Sequence, residues 1–318
     1  MKPNLKQQEA IEYTDGALLI IAGAWSGKTA TLTKRIAYMI SEKDILPSSI
    51  LALTFTNKAA GEMKERTWLA INATYHPHMM KNRHLPYMGT FHSFWIFILK
   101  ELLWSNFSEV VSQKIGLRKD FIIYDESDKM SVMKDIVKNE LWLIEKEYPP
   151  RQIAYYISDA KNKSINAQGY KSQIDSNLKE VVAQVFERYE KRLSENNAID
   201  FDDILWKLLN VLEIPEVLDI YQERYKYIMI DEYQDTNIVQ YNIVRLLALK
   251  YGNLAVVWDD WQSIYSWRWA DMRNILSFKK DYPGAKIIKL EQNYRSTKHV
   301  IAAANTVIKN NKEALPKE

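Results

Sequence analysis

The sequence predicts an α/β fold built on a parallel sheet, and three observations lead there. Short stretches rich in apolar residues recur at 18–22, 50–55, 225–230, 254–258 and 286–290. They are too short for helices and have the look of strands covered on both faces. Most run out into polar or acidic residues, which places a site along the carboxyl edge of one sheet. Stretches with apolar residues at helical spacing separate them, as crossover connections require.

The elements follow in order. Residues 5–14 read as a short helix. Leu18 to Ala22 reads as a buried strand, and Thr31 to Ile40 carries Leu32, Ile36, Met39 and Ile40 at helical spacing. The turn between them ends in Gly27, Lys28 and Thr29. Strand, tight turn and helix are the setting of a phosphate-binding loop. Backbone N–H groups cradle the phosphates, Lys28 reaches the β- and γ-phosphates, and the Thr29 hydroxyl sits on Mg²⁺. Two residues depart from the general pattern. Ala22 stands where glycine opens the loop, and Trp25 lies inside it, where small residues let the backbone approach a phosphate.

After the strand at 50–55 come Thr56, Asn57 and Lys58, then a helix over AAGEMKERTWLAI. His76, His78 and His84 fall in a polar stretch with no cysteine nearby and read as solvated loop histidines rather than metal ligands. Gly89 to Phe94 opens an aromatic helix reaching about Trp104. Residues 105–197 are mostly helical and more polar, an inserted helical subdomain. Within it Leu178, Val181, Val182, Val185, Phe186, Tyr189 and Leu193 form one core-facing stripe.

The α/β pattern resumes at Asp200-Phe201-Asp202-Asp203. Asp231 and Glu232 end the strand at 225–230, as Mg²⁺ handling beside a phosphate-binding loop requires. One carboxylate can hold the ion's water shell while its neighbour orients an attacking water. Gln262 to Arg268 follows another strand end. Its aromatics suit base stacking and its arginine a phosphate, although Tyr265 and Trp267 also suit a core.

Bulk properties exclude several classes. The 318 residues allow two domains. No cysteine is present, so there is no disulfide framework or thiolate metal site. The polar start MKPNLKQQEAIEY has no signal-peptide core, and no apolar run approaches a membrane span. A cytoplasmic, non-membrane protein is expected. The net charge of +3 permits a nucleic-acid partner without demanding one.

Taken together, Gln7, AGAWSGKT, LTFTNKAAGEMKER, GTFHSF, DFDDIL, DEYQDTN, DDWQSIYSWRWA and LEQNYRS occur in one order over residues 4–305. In this the chain resembles the N-terminal half of UvrD/Rep/PcrA-like superfamily 1 DNA helicases. The resemblance implies a RecA-like P-loop NTPase sheet with an inserted helical subdomain and the start of a second RecA-like domain. Its divisions would be 1–104 and 198–285 for the two parts of the core, 105–197 for the insertion and 286–318 for the truncated second domain. It implies ATP and Mg²⁺ as cofactors, and single-stranded DNA and single-/double-strand junctions as partners. The activity implied is an ATP-driven 3′→5′ translocase and helicase.

Residue by residue, Ala22, Gly23, Ala24, Trp25, Ser26, Gly27, Lys28 and Thr29 would bind the phosphates. Gln7 would recognise adenine and Tyr294 would stack on it. Thr29 and Asp231 would hold the metal, and Glu232 would be the catalytic base. Gln262 would sense the γ-phosphate, and Arg295 would act as an arginine finger. Phe55, Thr56, Asn57, Lys58, Thr90, His92, Tyr265, Trp267 and Arg268 would line the single-strand track. The family's remaining motifs would lie beyond Glu318, so residues 1–318 alone are expected not to unwind a duplex. Two other readings stay open: the motor half of a helicase–nuclease, and a non-catalytic DNA-binding or regulatory protein with a decayed ATP site.

Glycine is scarce, at nine, and tryptophan abundant, at ten. Trp25, Trp258 and Trp269 stand where the family usually has glycine and Trp68 where it often does, and Ala30 where arginine is common. A gene that encodes glycine by UGA, translated with the table that gives tryptophan, would deplete one residue and enrich the other at such positions. That reading requires UGA at these four codons and UGG at Trp261 and Trp267.

Overall fold

The computed structural model describes residues 2–23, 26–74, 85–259, 274–294, 296–297, 299–300 and 306. In chain order its strands are β1 (Leu18–Ala22), β2 (Ile50–Thr54), β3 (Tyr87–Thr90), β4 (Ile122–Tyr124), β5 (Ala198–Asp200), β6 (Tyr227–Ile230), β7 (Leu254–Trp258) and β8 (Lys286–Leu290). The chain divides into two compact units. One comprises residues 1–91, 219–237 and 244–318, and the other residues 92–218 and 238–243.

The first unit holds a six-stranded sheet in the order β3-β2-β6-β7-β1-β8, every pairing parallel. β1, β2 and β7 are buried at every position, which explains their unbroken apolar sequences. Leu18 and Ile20 of β1 share a core with Leu32, Ile36 and Met39 of the following helix, and with Met63 and Ile71 of the next. Helices α1 (Leu5–Glu12), α2 (Lys28–Ser41) and α3 (Asn57–Thr74) belong to this unit. α2 starts three residues before the expected Thr31, because Lys28 itself opens its first turn. β3 is a strand where the sequence reading opens a helix at Gly89. Four residues containing a glycine carry too little periodicity to signal one.

β8 corrects an expected boundary. Residues 286–290 pair with β1 from Leu18↔Lys286 to Ala22↔Leu290, so they complete this sheet rather than begin a second domain. Only Ile288 and Leu290 are buried along β8, the two-residue alternation of an edge strand.

The second unit is mostly helical, with the pair β4-β5 beside the helices. In helix Asn177–Glu195 the predicted stripe buries Val182, Val185, Phe186, Tyr189 and Leu193, while Leu178 and Val181 pack partly buried against the same core. This unit runs past the expected 105–197 at both ends. Asp200, Asp202 and Asp203 do not return the chain to the large sheet. Asp200 and Asp203 form a reciprocal cap at the start of helix Phe201–Val211, at 2.9 and 3.1 Å. They also meet buried lysines. Lys161 Nζ donates to Asp203 Oδ1 at 2.8 Å and to Asp200 Oδ2 at 3.2 Å, and Lys129 Nζ to Asp202 Oδ2 at 2.8 Å.

Two of the four tryptophans at family glycine positions, Trp25 and Trp269, lie outside the described residues. Trp68 is partly exposed on α3. Trp258 is fully buried against Tyr233, and its indole N–H has no partner among the described residues. A fifth tryptophan emerges from the backbone alone. Trp142 follows the π-helical turn Ile136–Glu140, has φ +56° and is 84% exposed. Leu141 N–H donates to the Ile136 carbonyl at 3.0 Å and Leu143 N–H to the Val137 carbonyl at 2.9 Å, closing the helix around a left-handed residue. That is the position glycine usually fills. Trp142→Gly should therefore stabilise the chain, by about 0.5–1 kcal/mol in urea denaturation. A destabilised variant would show that the indole makes compensating contacts.

Among the described residues no helix is long and apolar enough to cross a membrane.

Candidate nucleotide site

The site is built at the carboxyl ends of β1, β6 and β7, within the first unit. β1 ends at the buried Ala22, and Gly23 N–H donates to the Leu290 carbonyl at 3.4 Å. Ala24 and Trp25 lie outside the described residues. Ser26 is buried. Gly27 has φ +82°, a backbone conformation that favours glycine, and a Cβ there would sit 2.8 Å from Gln7 Nε2 and displace that amide. α2 begins directly after it. The N–H groups of its first turn give the N-terminal anion site that the loop pattern predicts.

Lys28 is the centre of the charge arrangement. Its Nζ donates to Glu232 Oε2 at 3.3 Å and to Asp259 Oδ2 at 3.2 Å. Burial alone would push this lysine down, but the charges of Glu232, Asp259 and Asp231 outweigh it and hold the ammonium above its ordinary range. Thr29 Oγ1 donates to Asp231 Oδ2 at 3.2 Å. Asp231 is pushed up to about 6, chiefly by burial and then by the charge of Glu232, with Lys28 opposing. The folding reason is local at each end and long-range between them. A strand terminus fixes Asp231, a helix start fixes Lys28 and Thr29, and β7 lies between β1 and β6 in the sheet.

Glu232 takes the left-handed conformation, φ +54° and ψ +44°, at the entrance to the turn Tyr233–Asp235. A non-glycine residue there is uncommon, and this one lies where the chemistry is expected. Asp235 is nearly buried and is pushed up to about 7 by burial and by Glu232.

Sequence reasoning missed three participants. Asp259, fully buried, pairs with Lys28; the acid at the end of β7 was visible, its partner 231 residues away was not. Gln234 bridges Glu232 and Asp259. Asn4 caps α1, donates its backbone N–H to Gln7 Oε1 at 3.0 Å and its side-chain amide to Tyr294 OH at 2.7 Å. Gln7 in turn donates from Nε2 to the Ser26 carbonyl at 2.9 Å. Gln7, Ile11, Gly27, Thr31, Lys34 and Tyr294 line one cleft, which brings the two predicted base-recognition residues together.

A hydroxyl and a carboxylate from Thr29 and Asp231 are oxygen donors of the kind Mg²⁺ takes. Among the described residues no three His, Asp or Glu side chains gather as a metal cage. Such a pair fits an ion that keeps most of its ligands as water and phosphate.

The predicted strand-track residues are less concentrated. Phe55 packs its ring 5.3 Å from that of Phe91. Thr56 Oγ1 accepts the Ala59 N–H at 3.1 Å and so caps α3, with Asn57 and Lys58 exposed in its first turn. Thr90 ends β3 and is nearly buried. His92 belongs to the second unit, where burial pushes it down against the pull of Asp202. Gln262, Tyr265, Trp267, Arg268 and Arg295 lie outside the described residues, as do His76, His78 and His84.

The chain is 47% identical over 315 residues to ATP-dependent DNA helicase PcrA of Staphylococcus aureus, covering 99% of this chain and 41% of that protein. It is 46% identical over the same length to the PcrA of Staphylococcus epidermidis. The chain thus spans about two fifths of the length of these relatives. Residues 3–283 match the UvrD/REP helicase N-terminal domain. With its parallel sheet, its loop lysine and the acidic strand ends gathered on it, the chain belongs to the UvrD/REP helicase family through that N-terminal domain.

Proposed function

We propose that this chain is the N-terminal motor portion of an ATP-dependent single-stranded-DNA translocase and 3′→5′ DNA helicase. One observation carries the reading: Lys28 and Thr29, at the start of α2, meet Glu232, Asp259 and Asp231 from the ends of β6 and β7. A lysine poised among acids, beside a threonine–aspartate oxygen pair, is the arrangement needed to receive a nucleotide's terminal phosphates with their cation. Mg²⁺, when bound, would neutralise charge on those phosphates. Thr29 and Asp231 would hold it. Glu232 would accept a proton from the attacking water, and Lys28 would exchange its carboxylate partners for phosphate oxygens.

Gln7 and Tyr294 would form the base subsite. Gln262 and Arg295 would act on the γ-phosphate and the transition state. Phe55, Thr56, Asn57, Lys58, Thr90, His92, Tyr265, Trp267 and Arg268 would track single-stranded DNA by stacking and phosphate pairing. A decayed ATP site would have no need to keep Lys28, Thr29, Asp231 and Glu232 in register, which weighs against the non-catalytic reading.

The test is ATP hydrolysis by the full-length product of the source gene, with and without a single-stranded oligonucleotide. The expected result is a DNA-dependent rise of tenfold or more, on the order of what completing a catalytic constellation gives. A rate indifferent to DNA would reject the translocase.

A further inference from the structure

We propose that Gln234 is a positioning residue for the carboxylate of Glu232. The inference rests on the reading of Glu232 as the proton acceptor in ATP hydrolysis. Gln234 is 1% exposed, on the turn that follows Glu232. Its Oε1 accepts the Asp259 backbone N–H at 3.0 Å, and its Nε2 donates to Glu232 Oε2 at 2.6 Å. The neighbours dictate which way the amide points. A backbone N–H can only donate and a carboxylate oxygen accepts, so the carbonyl end must face Asp259 and the amino end Glu232.

A group at this place must therefore offer an acceptor at one end and a donor at the other, across the width of one side chain. Glutamate would set a second carboxylate against Glu232. Methionine would fill the volume and serve neither end.

The bridge has work to do because Glu232 is otherwise poorly determined. Its backbone is in a left-handed conformation that costs a non-glycine residue energy, and its side chain is 30% exposed. Lys28 also donates to Glu232 Oε2, at 3.3 Å, but that lysine must turn to phosphate when a nucleotide arrives. Gln234 is anchored instead to the backbone where β7 ends, and can keep hold of Oε2 when Lys28 leaves. Oε2 is then fixed by a donor that does not take part in phosphate binding, and Oε1 is the oxygen that takes the proton from water. Preorganisation of this kind acts on the chemical step rather than on nucleotide binding.

The experiment uses the full-length gene product, Mg-ATP and a single-stranded oligonucleotide. It compares the parent with Gln234→Met, Gln234→Glu, Glu232→Gln and the double variant Glu232→Gln/Gln234→Met, each verified as folded by thermal melting. Gln234→Met should lower kcat about 10- to 100-fold, the usual cost of losing a group that orients a reacting residue, with KM for ATP within about threefold of the parent. Gln234→Glu should fall at least as far. In the Glu232→Gln background, Gln234→Met should cost no further activity, because its partner's function is already gone.

Parent-like kcat in Gln234→Met, or losses that multiply in the double variant, would overturn the assignment while leaving Glu232 as the base. Full activity in Glu232→Gln would overturn both.

Discussion

Replacing Lys28 with alanine should reduce DNA-stimulated ATP hydrolysis by a factor of about 10²–10³, the range seen when one preorganised charge-stabilising donor is removed. On the proposed reading the lysine has two linked tasks. Its side chain is 9% exposed, and its ammonium lies within 3.3 Å of two carboxylates, one of them fully buried. Alanine removes the cation that the terminal phosphates would meet, and it also leaves Asp231, Glu232 and Asp259 to repel both one another and the incoming anion. Nucleotide affinity should therefore fall together with turnover. Fluorescent-nucleotide titration and steady-state kinetics on the same variant measure the two losses. Lys28→Arg keeps the charge but changes its shape from a point to a planar fork, and should recover binding more than turnover. An unchanged rate in Lys28→Ala would mean that hydrolysis arises from another site.

The second large effect lies in the helical unit. Lys161 is 5% exposed and meets Asp200, Asp203 and Glu190 at 3.2, 2.8 and 2.7 Å. Lys161→Met should cost about 3–5 kcal/mol in denaturant unfolding, because it leaves the buried, charged Asp200 with only Lys129, 3.5 Å away, and takes the donor from Asp203 and Glu190. Lys171→Met, which breaks the exposed pair with Glu187, should cost less than about 1 kcal/mol. Equal costs would refute the argument from burial.

The same cluster sets a pH dependence. Burial, and then the charge of Asp200, push Asp203 up to about 8, while Asp200 is held low by Lys161 and Lys129 against its own burial. An unfolded aspartate titrates near 4, so Asp203 retains its proton in the folded chain over a range where the unfolded chain has lost it. Its contribution is complete below about pH 4 and is lost as the pH rises through about 8. Asp203→Asn, which imitates the protonated acid, should flatten the stability profile between those limits.

Much of the candidate site was legible because its signals are local. Leu18 to Thr29 compress a strand, a turn and a helix start into twelve residues, and each part announces itself by composition or spacing. Asp231 and Glu232 were legible for the same reason, as acids at the end of an apolar run. Local spacing was silent where the deciding contact is distant. The acids of 200–203 carry the same signature as a strand end, yet Lys129 and Lys161, far from them in sequence, draw them into the helical unit. Residues 286–290 read equally well as the first strand of a new domain or the last of an old one, and only their pairing with β1 decides. Trp142 offered no signal, since a left-handed φ is a property of the backbone and not of the indole.

By itself, then, the sequence determined the fold class and marked a strand, turn and helix start of the kind that suits a phosphate, with acids at strand ends, because burial on both strand faces and glycine at a tight turn leave a local imprint. The tertiary structure alone decided which acids meet Lys28 and which amide holds Glu232. Lys28 and Asp259 are 231 residues apart and become neighbours only because β7 lies beside β1 in the sheet. Strand order is set by packing the whole core at once, and no short stretch of sequence contains it.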